Sequence, residues 1–481
     1  MIRLEVTLEN IANEASELIR AFYPKQVVDI SPVPQQTEYD MKMTCVWDGI
    51  SWSTSLICGE VTICQTKHVG EMLCDEDEIL YKRRVKGALK ETVYYALKEH
   101  TGRSLPYGML TGVRPLAISG RLLEECSYDE TIDRLIAEYD ISNEKAHLLA
   151  TTSMVQTEYK PNDDDVSLYI HVPFCTTRCN YCSFPSELVD KVKPHLDSYM
   201  EALAKETQFI TDNAKGNFEA MYVGGGTPTA LPHDNFERLC EICLDAKTKK
   251  NISEFTLEAG RPDTIDEAKL KMMRSAGVTR ISINPQTMND ATLERIGRKH
   301  TSEDIIKTFE LARKIGFDNI NMDLIVGLSG ESTADVKRSI DRVLELEPEG
   351  ITVHVLALKH ASVLNRDGVD IFGSMDGIEE LIASEYKELE GRGYIPYYLY
   401  RQKYMLGGLE NVGFAKKGMG CRYNIRMMDN LSTCWAAGAG SISKRCYLKD
   451  TRIERAANPK NAVDYINGLD ECLKKKLEIM D

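Results

Sequence analysis

No apolar run in the 481 residues approaches the roughly 18 needed to cross a membrane. The first residues, MIRLEVTLEN, carry charge where a secretory signal needs an apolar stretch, so a cytoplasmic location without a membrane span is expected. Positive charge is scarce: 59 Lys and Arg stand against 74 Asp and Glu, giving a net charge of −15. That balance argues against general binding to nucleic-acid phosphates or anionic lipid, and no nucleic-acid partner is expected. A repeat of fixed period and low-complexity tracts are missing too, and 43% apolar with 28% charged residues is a globular composition. The length suggests about two to four domains. Fourteen cysteines in a reducing compartment read as thiols, and a tight cluster among them points to a metal or redox site.

Residues 1–158 predict an N-terminal α+β domain of no readable chemistry. MIRLEVTL and KMTCVWDGISWSTSLIC alternate as strands do, Asp75 to His100 is helix-spaced, and PYGMLTGVRP is a turn-rich connection. Lys160-Pro161-Asn162 and the run Asp163 to Asp165 predict a solvated linker over 159–166. Six short apolar runs follow, separated by stretches of helix length: 166–172, 218–225, 254–260, 280–286, 319–327 and 350–358. Such alternation implies parallel strands covered by helices through right-handed crossovers. Six units fall short of a closed eight-stranded barrel. The expected fold is therefore α/β, a partial (β/α)6 TIM-like barrel over 167–393, with a doubly wound sheet as the alternative. Either places a site at the C-terminal ends of the strands. From Tyr394 a small C-terminal cap domain, 394–481, is expected, with YIPYYLYRQ as a strand, GFAKKGMG as a loop and CWAAGAGSISK as a glycine-rich segment before a helical tail.

Cys175, Cys179 and Cys182 form CxxxCxxC just past the first run. Structural zinc wants four closed tetrahedral ligands, and the nearest extra one, His171, lies on the far side of the run. Three thiolates on a short loop instead suit three irons of a [4Fe-4S] cube, whose fourth iron stays open to a small chelating ligand. An amine and a carboxylate chelating that iron is the chemistry of S-adenosylmethionine (SAM) activation.

Gly224-Gly225-Gly226-Thr227-Pro228 follows the second run, where bare backbone permits close approach of a ligand. Glu258 and Asp323 are carboxylates embedded in apolar strands, and a buried charge needs a partner. A cationic or hydroxyl-bearing ligand is one solution and a neighbouring Arg or Lys another. Gln286 and Arg298 are polar residues at or just beyond strand ends. Cys240 and Cys243, three apart in an amphipathic stretch, read as buried thiols, and Met427 and Met428 as core.

The series YIHVPFCTTRCNYCSF, GGGTP, LEAGRPDT, RISINPQTMND, IGRKH and NMDLIVGLSGE resembles the radical SAM enzymes of the oxygen-independent coproporphyrinogen III oxidase group. The N-terminal unit, with GMLTGVRP, RYNIRMMDN and GAGSISK, is most similar to the group's long branch, coproporphyrinogen dehydrogenase. The resemblance implies an oxidoreductase of porphyrin and haem biosynthesis, with a [4Fe-4S] cluster on Cys175, Cys179 and Cys182. It implies SAM beside Tyr169, Tyr181, Ser183, Gly225, Gly226, Thr227 and Glu258, with Arg298 at its carboxylate and Asp323 at its ribose. Gln286 and Ala357 would line the pocket where the parent oxidase holds a second SAM. The partners implied are a tetrapyrrole substrate and a low-potential electron donor.

Two departures bear on activity. The parent oxidase carries CxxxCxxCxC, but Phe184 occupies the last position, as in the haem chaperone of the same group. The chaperone's HNxxYW signature is replaced here by Tyr423-Asn424-Ile425-Arg426-Met427-Met428. The alternatives are thus a haem chaperone, or another radical SAM enzyme acting on a tetrapyrrole. Four propionates on coproporphyrinogen would call for cations, and Arg401, Lys403, Arg422 and Arg426 are candidates, with a solvated basic face as the plain alternative.

Overall fold

The computed structural model describes residues 1–36, 38–72, 77–112, 114–357, 377–402, 405–447 and 452–480; Lys403 lies outside them. Contacts divide the chain into two units, 1–150 with 401–409, and 151–400 with 410–481.

In the first unit, strands β1 (Ile2–Val6), β2 (Val28–Asp29), β3 (Met41–Trp47), β4 (Ser51–Cys58) and β5 (Val61–His68) form one sheet in the order β2-β1-β3-β4-β5. Alternating burial along β3 and β4 turns Met41, Met43, Cys45, Trp52 and Leu56 onto one face, against Leu89, Val93 and Leu97 of the helix Glu78–Thr101. Asp77 caps that helix by accepting from the Ile79 amide. Arg401 donates to the Leu110 carbonyl at 2.6 Å and lies over the Tyr107 ring at 4.3 Å, so this candidate propionate ligand is engaged within the first unit.

In the second unit all six expected runs are strands: β6 (Asp165–Val172), then, after the short pair β7 (Phe174–Cys175) and β8 (Glu187–Leu188), β9 (Asn217–Gly225), β10 (Glu254–Gly260), β11 (Arg280–Ile283), β12 (Ile320–Val326) and β13 (Gly350–Val355). They pair in parallel in the order β6-β9-β10-β11-β12-β13, with helices between them, as a partial barrel requires. Residues 394–481, expected as a cap, add strands to both edges of this sheet. β14 (Tyr394–Tyr400) and β15 (Asn411–Lys416) join antiparallel beside β13. β16 (Thr433–Ala437) runs parallel beside β6, followed by β17 (Ile442–Tyr447) and β18 (Arg452–Ala457). The expected loop GFAKKGMG therefore begins as strand, because Gly413 to Ala415 pair with both β13 and β14.

Two expectations at the N-terminal ends of the strands are corrected. Asp165 is no part of a solvated linker; it is 3% exposed, opens β6 and accepts from Asn162 and Asn217. Arg426 is equally buried and forms ion pairs with Asp165 at 3.3 Å and with Glu219, while Arg422 pairs with Glu219 at 3.2 Å. Both arginines face residues at the start of β6 and β9, the end away from the cysteines, so neither is placed to receive a substrate carboxylate there. Met427 and Met428 pack against a cluster of Tyr397, Cys421, Ile425 and Cys434.

Removing one partner of a buried ion pair leaves an uncompensated charge, whereas an exposed pair contributes little. Arg426→Met is expected to lower the unfolding free energy by about 3 kcal/mol and Arg422→Ala by less than about 1 kcal/mol. Denaturant titration of both variants checks this; equal losses would refute it.

Candidate active site

The loop bearing the three cysteines is anchored at both ends and in its middle. At its base β7 pairs β8, and the Glu187 amide donates to the Pro173 carbonyl at 2.7 Å. In the middle, Thr177 Oγ1 donates to Gly297 O at 3.2 Å, and Asn180 Nδ2 to Arg295 O at 3.0 Å. Arg261 donates to Thr177 Oγ1 at 2.7 Å while its Nε and Nη2 hold Asp263 at 2.9 and 2.8 Å. The loop is thereby fixed at the C-terminal end of the strands by residues after β10 and β11. None of the three cysteines is in a disulfide. Burial pushes the thiols of Cys175 and Cys182 above the usual range, so the free acids are the stable form until a metal takes the thiolates.

The glycine turn after β9 closes beside this loop. The Gly226 amide donates to Val172 O at 2.9 Å and the Thr227 amide to Phe174 O at 2.7 Å, and Thr227 Oγ1 lies 3.7 Å from Cys175 Sγ. Gly225 has φ of +115°, and a Cβ there would sit 2.2 Å from the His171 ring; one on Gly226 would sit 2.6 Å from Phe174 O. Only glycine fits either place.

Across the mouth, Arg298 Nη2 donates to Tyr181 OH at 3.0 Å and Tyr181 OH to Gln286 Oε1 at 3.3 Å. Arg298 Nη1 reaches Asn284 O at 3.0 Å. Gln286, at φ of +68°, is pinned by its amide on Asp323 O and its carbonyl on the Ile325 amide. Ser183 is half-buried in the cysteine loop, and Ala357, also half-buried, follows β13. Tyr169 stacks on Tyr423 at 5.8 Å and lies 6.3 Å from Tyr222.

Among the described residues, no ion pair joins Glu258 or Asp323 to an Arg or Lys, although Arg280 acts on Glu258 at longer range. Tyr222 OH donates to Glu258 Oε1 at 2.6 Å, and burial pushes the carboxyl up to about 7 despite that bond. Asp323 moves the other way. Burial would raise it, but His354, with Nε2 at 3.7 Å, together with Asn321 Nδ2 at 2.7 Å and Thr352, holds it below the usual carboxylate range. Tyr222, His354 and Asn284 were not singled out from the sequence. Strand period was the available signal: Tyr222 precedes Gly224 by two, and His354 follows Thr352 by two, so each shares a face with a site or buried polar residue.

Residues 169–343 match the Radical SAM superfamily. The chain is 35% identical over 409 residues to the oxygen-independent coproporphyrinogen-III oxidase-like protein HemZ of Bacillus subtilis (strain 168), a match spanning 83% of this chain and 82% of HemZ. The chain belongs to the coproporphyrinogen oxidase-like family of radical SAM proteins. It is also 32% identical over 305 residues to the heme chaperone HemW of the same organism, spanning 62% of this chain and 76% of HemW. Coproporphyrinogen III oxidase (HemN) from Escherichia coli shares the fold, with a TM-score of 0.50 and 21% identity over 66% of this chain and 72% of HemN.

As a radical SAM protein the chain uses a [4Fe-4S] cluster and SAM. The residues present fit that pair. Among the described residues, the one set of three or more His, Cys, Asp or Glu ligand atoms within 4.8 Å of one another is Asp341, Glu385 and Glu388, which Lys337 already bridges. The site thiols are thus spread wider than one tetrahedral ion asks. Among the described residues, four buried polar atoms around the loop have no protein partner: Thr176 Oγ1, Asn180 Oδ1, Asn284 Oδ1 and Arg298 Nε. Cys240 and Cys243 lie buried in the helix His233–Lys250, away from this chemistry. No helix among the described residues is long and apolar enough to cross a membrane.

Glu258 supplies a pH test on the metal-free chain. Its folded value of about 7 exceeds the ordinary 4.5, so its contribution to stability is complete below about pH 4.5 and is lost as pH rises through about 7. Between pH 4.5 and 8.5, Glu258→Gln is expected to gain on the order of 2–3 kcal/mol on the wild type. Denaturant unfolding across that range tests it; parallel pH profiles would refute it.

Proposed function

We propose that the protein is an oxygen-independent coproporphyrinogen dehydrogenase of the cytoplasm, which converts coproporphyrinogen III to protoporphyrinogen IX in haem biosynthesis. The observation that carries this reading is the three-thiol loop clamped at the strand ends beside the glycine turn and the Arg298–Tyr181–Gln286 chain. Likeness to HemZ over four-fifths of both chains supports the substrate class.

When bound and reduced, the cluster and SAM supply a 5′-deoxyadenosyl radical that takes a hydrogen atom from the β-carbon of a propionate. In this reading Cys175, Cys179 and Cys182 hold the iron. The bare backbone of Gly225 and Gly226, with Thr227, receives the SAM amino group. The Arg298 guanidinium would meet the SAM carboxylate, its Nε having no protein partner among the described residues. Asp323, held ionised by His354, accepts from the ribose. Glu258 carries a proton near neutrality because of its burial, and Tyr222 fixes its direction. Tyr169, Tyr181 and Ser183 wall the pocket, and Gln286 and Ala357 line the position of a second SAM. The substrate then loses CO2 and one electron to an acceptor, leaving a vinyl group, and the reaction runs twice. An external low-potential donor supplies the cluster's electron.

One observation favours a second reading, the haem chaperone. Phe184, which replaces the parent oxidase's last cysteine, is 62% exposed beside the cysteine loop. Anaerobic reconstitution separates the two. The dehydrogenase reading expects 5′-deoxyadenosine, methionine, CO2 and a divinyl product from coproporphyrinogen III, with iron and SAM cleavage lost when any of Cys175, Cys179 or Cys182 becomes Ser. SAM cleavage with unchanged porphyrinogen, or stoichiometric haem transfer without cleavage, would count against it.

A further inference from the structure

His171, the next-to-last residue of β6, is enclosed by two glycine turns. On one side is Gly225, whose missing Cβ leaves room for the ring. On the other is the turn Gly438-Ala439-Gly440 after β16: His171 Nδ1 bonds Ala439 O, a Cβ on Gly438 would lie 2.2 Å from His171 O, and one on Gly440 would lie 3.1 Å from the ring. Tyr199 OH, from the helix Leu196–Asn213, completes the enclosure by donating to His171 O at 2.8 Å. The position of Gly225 is therefore coupled through one imidazole to that of the second turn.

That second turn is held from within by a buried polar network. Glu206, on the same helix as Tyr199, accepts from the Gly438 amide at 2.8 Å and from Tyr465 OH at 2.7 Å. Asn458 Nδ2 reaches Glu206 at 2.9 Å, Gly438 O at 2.9 Å and Ser441 Oγ at 3.2 Å. Lys476, on the C-terminal helix Leu469–Met480, closes the network through Glu206 Oε1 at 2.8 Å and Asn458 Oδ1 at 2.6 Å. The side chains of Lys476 and Glu206 are both 0% exposed. A fully buried ion pair contributes little net stability over an apolar pair of the same volume, yet it fixes geometry closely because each charge demands its partner.

We propose that Lys476 is a positioning residue for SAM, acting through Glu206, Asn458 and the Gly438–Gly440 turn on His171 and thereby on Gly225. The inference rests on the assignment of the glycine turn after β9 to the SAM amino group. It gives the C-terminal helix a part in cofactor affinity although that helix lies outside every motif of the site.

The test uses the full-length, anaerobically reconstituted protein. SAM dissociation constants are read from the change that SAM produces in the electron paramagnetic resonance spectrum of the reduced cluster. Iron per chain, thermal midpoint and amide exchange of residues 224–227 are measured alongside. Lys476→Met is expected to weaken SAM binding about tenfold and to speed exchange at 224–227, with iron content unchanged. Lys476→Arg is expected to recover most of the affinity. Should Lys476→Met fail to fold, Asn458→Ala loosens the turn while keeping the ion pair, and a threefold or greater weakening is expected. A lowered thermal midpoint with wild-type SAM affinity and wild-type exchange at 224–227 would overturn the proposal. A wild-type cluster whose spectrum ignores SAM would overturn the assignment of the glycine turn itself, and with it this inference.

Discussion

A polar group taken out of water needs a partner, and the second unit meets much of that demand along one face of its sheet. Strand period puts Ser167 and Tyr169 on one face of β6, Thr256 and Glu258 on β10, Arg280 and Ser282 on β11, Asn321 and Asp323 on β12, and Thr352 and His354 on β13. A closed eight-stranded barrel fills its interior with branched apolar side chains. Here the partial barrel keeps a polar face: Tyr222 bonds Glu258 and Tyr398 bonds Thr352 across strands, Asn321 bonds Asp323 within β12, and Ser167 Oγ with Arg280 Nε and Nη1 has no partner among the described residues.

The partners chosen decide the chemistry of otherwise similar groups. Glu258 and Asp323 are both carboxylates set in parallel strands. One faces a phenol, which offers a single hydrogen bond against a large loss of hydration, and it holds its proton to near neutrality. The other faces an amide, a hydroxyl and an imidazole, and it stays ionised. Two carboxylates at one mouth therefore offer different protonation states at one pH, the separation by environment that acid–base and binding sites exploit.

The two ends of the strands carry different groups. At the N-terminal end Arg426 pairs with Asp165 and Glu219, Arg422 pairs with Glu219, and Glu254 accepts from the Arg422 and Tyr423 amides, while Arg426 Nε and Nη1 have no partner among the described residues. At the C-terminal end Thr176 Oγ1, Asn180 Oδ1, Asn284 Oδ1 and Arg298 Nε around the cysteine loop likewise have none. The segment after Tyr394 serves both ends: Arg422 and Arg426 come from the helix Arg422–Asp429, and the turn after β16 supports His171.

The sequence by itself determined the six parallel strands, the cysteine loop at the end of the first, the glycine turn at the end of the second, and the family. Strand period, cysteine spacing and glycine placement are short-range features, set by local sterics and burial, and each is legible within about ten residues. Only the tertiary structure decided the rest. It turned Arg422 and Arg426 away from the cysteine end, drew Asp165 out of the expected linker, and folded residues after Tyr394 into the edges of the barrel sheet. It also brought Lys476 to Glu206 across most of the second unit. The physical reason is that a buried charge is satisfied by whatever the topology brings within hydrogen-bond reach, and no local pattern records which distant residue that will be.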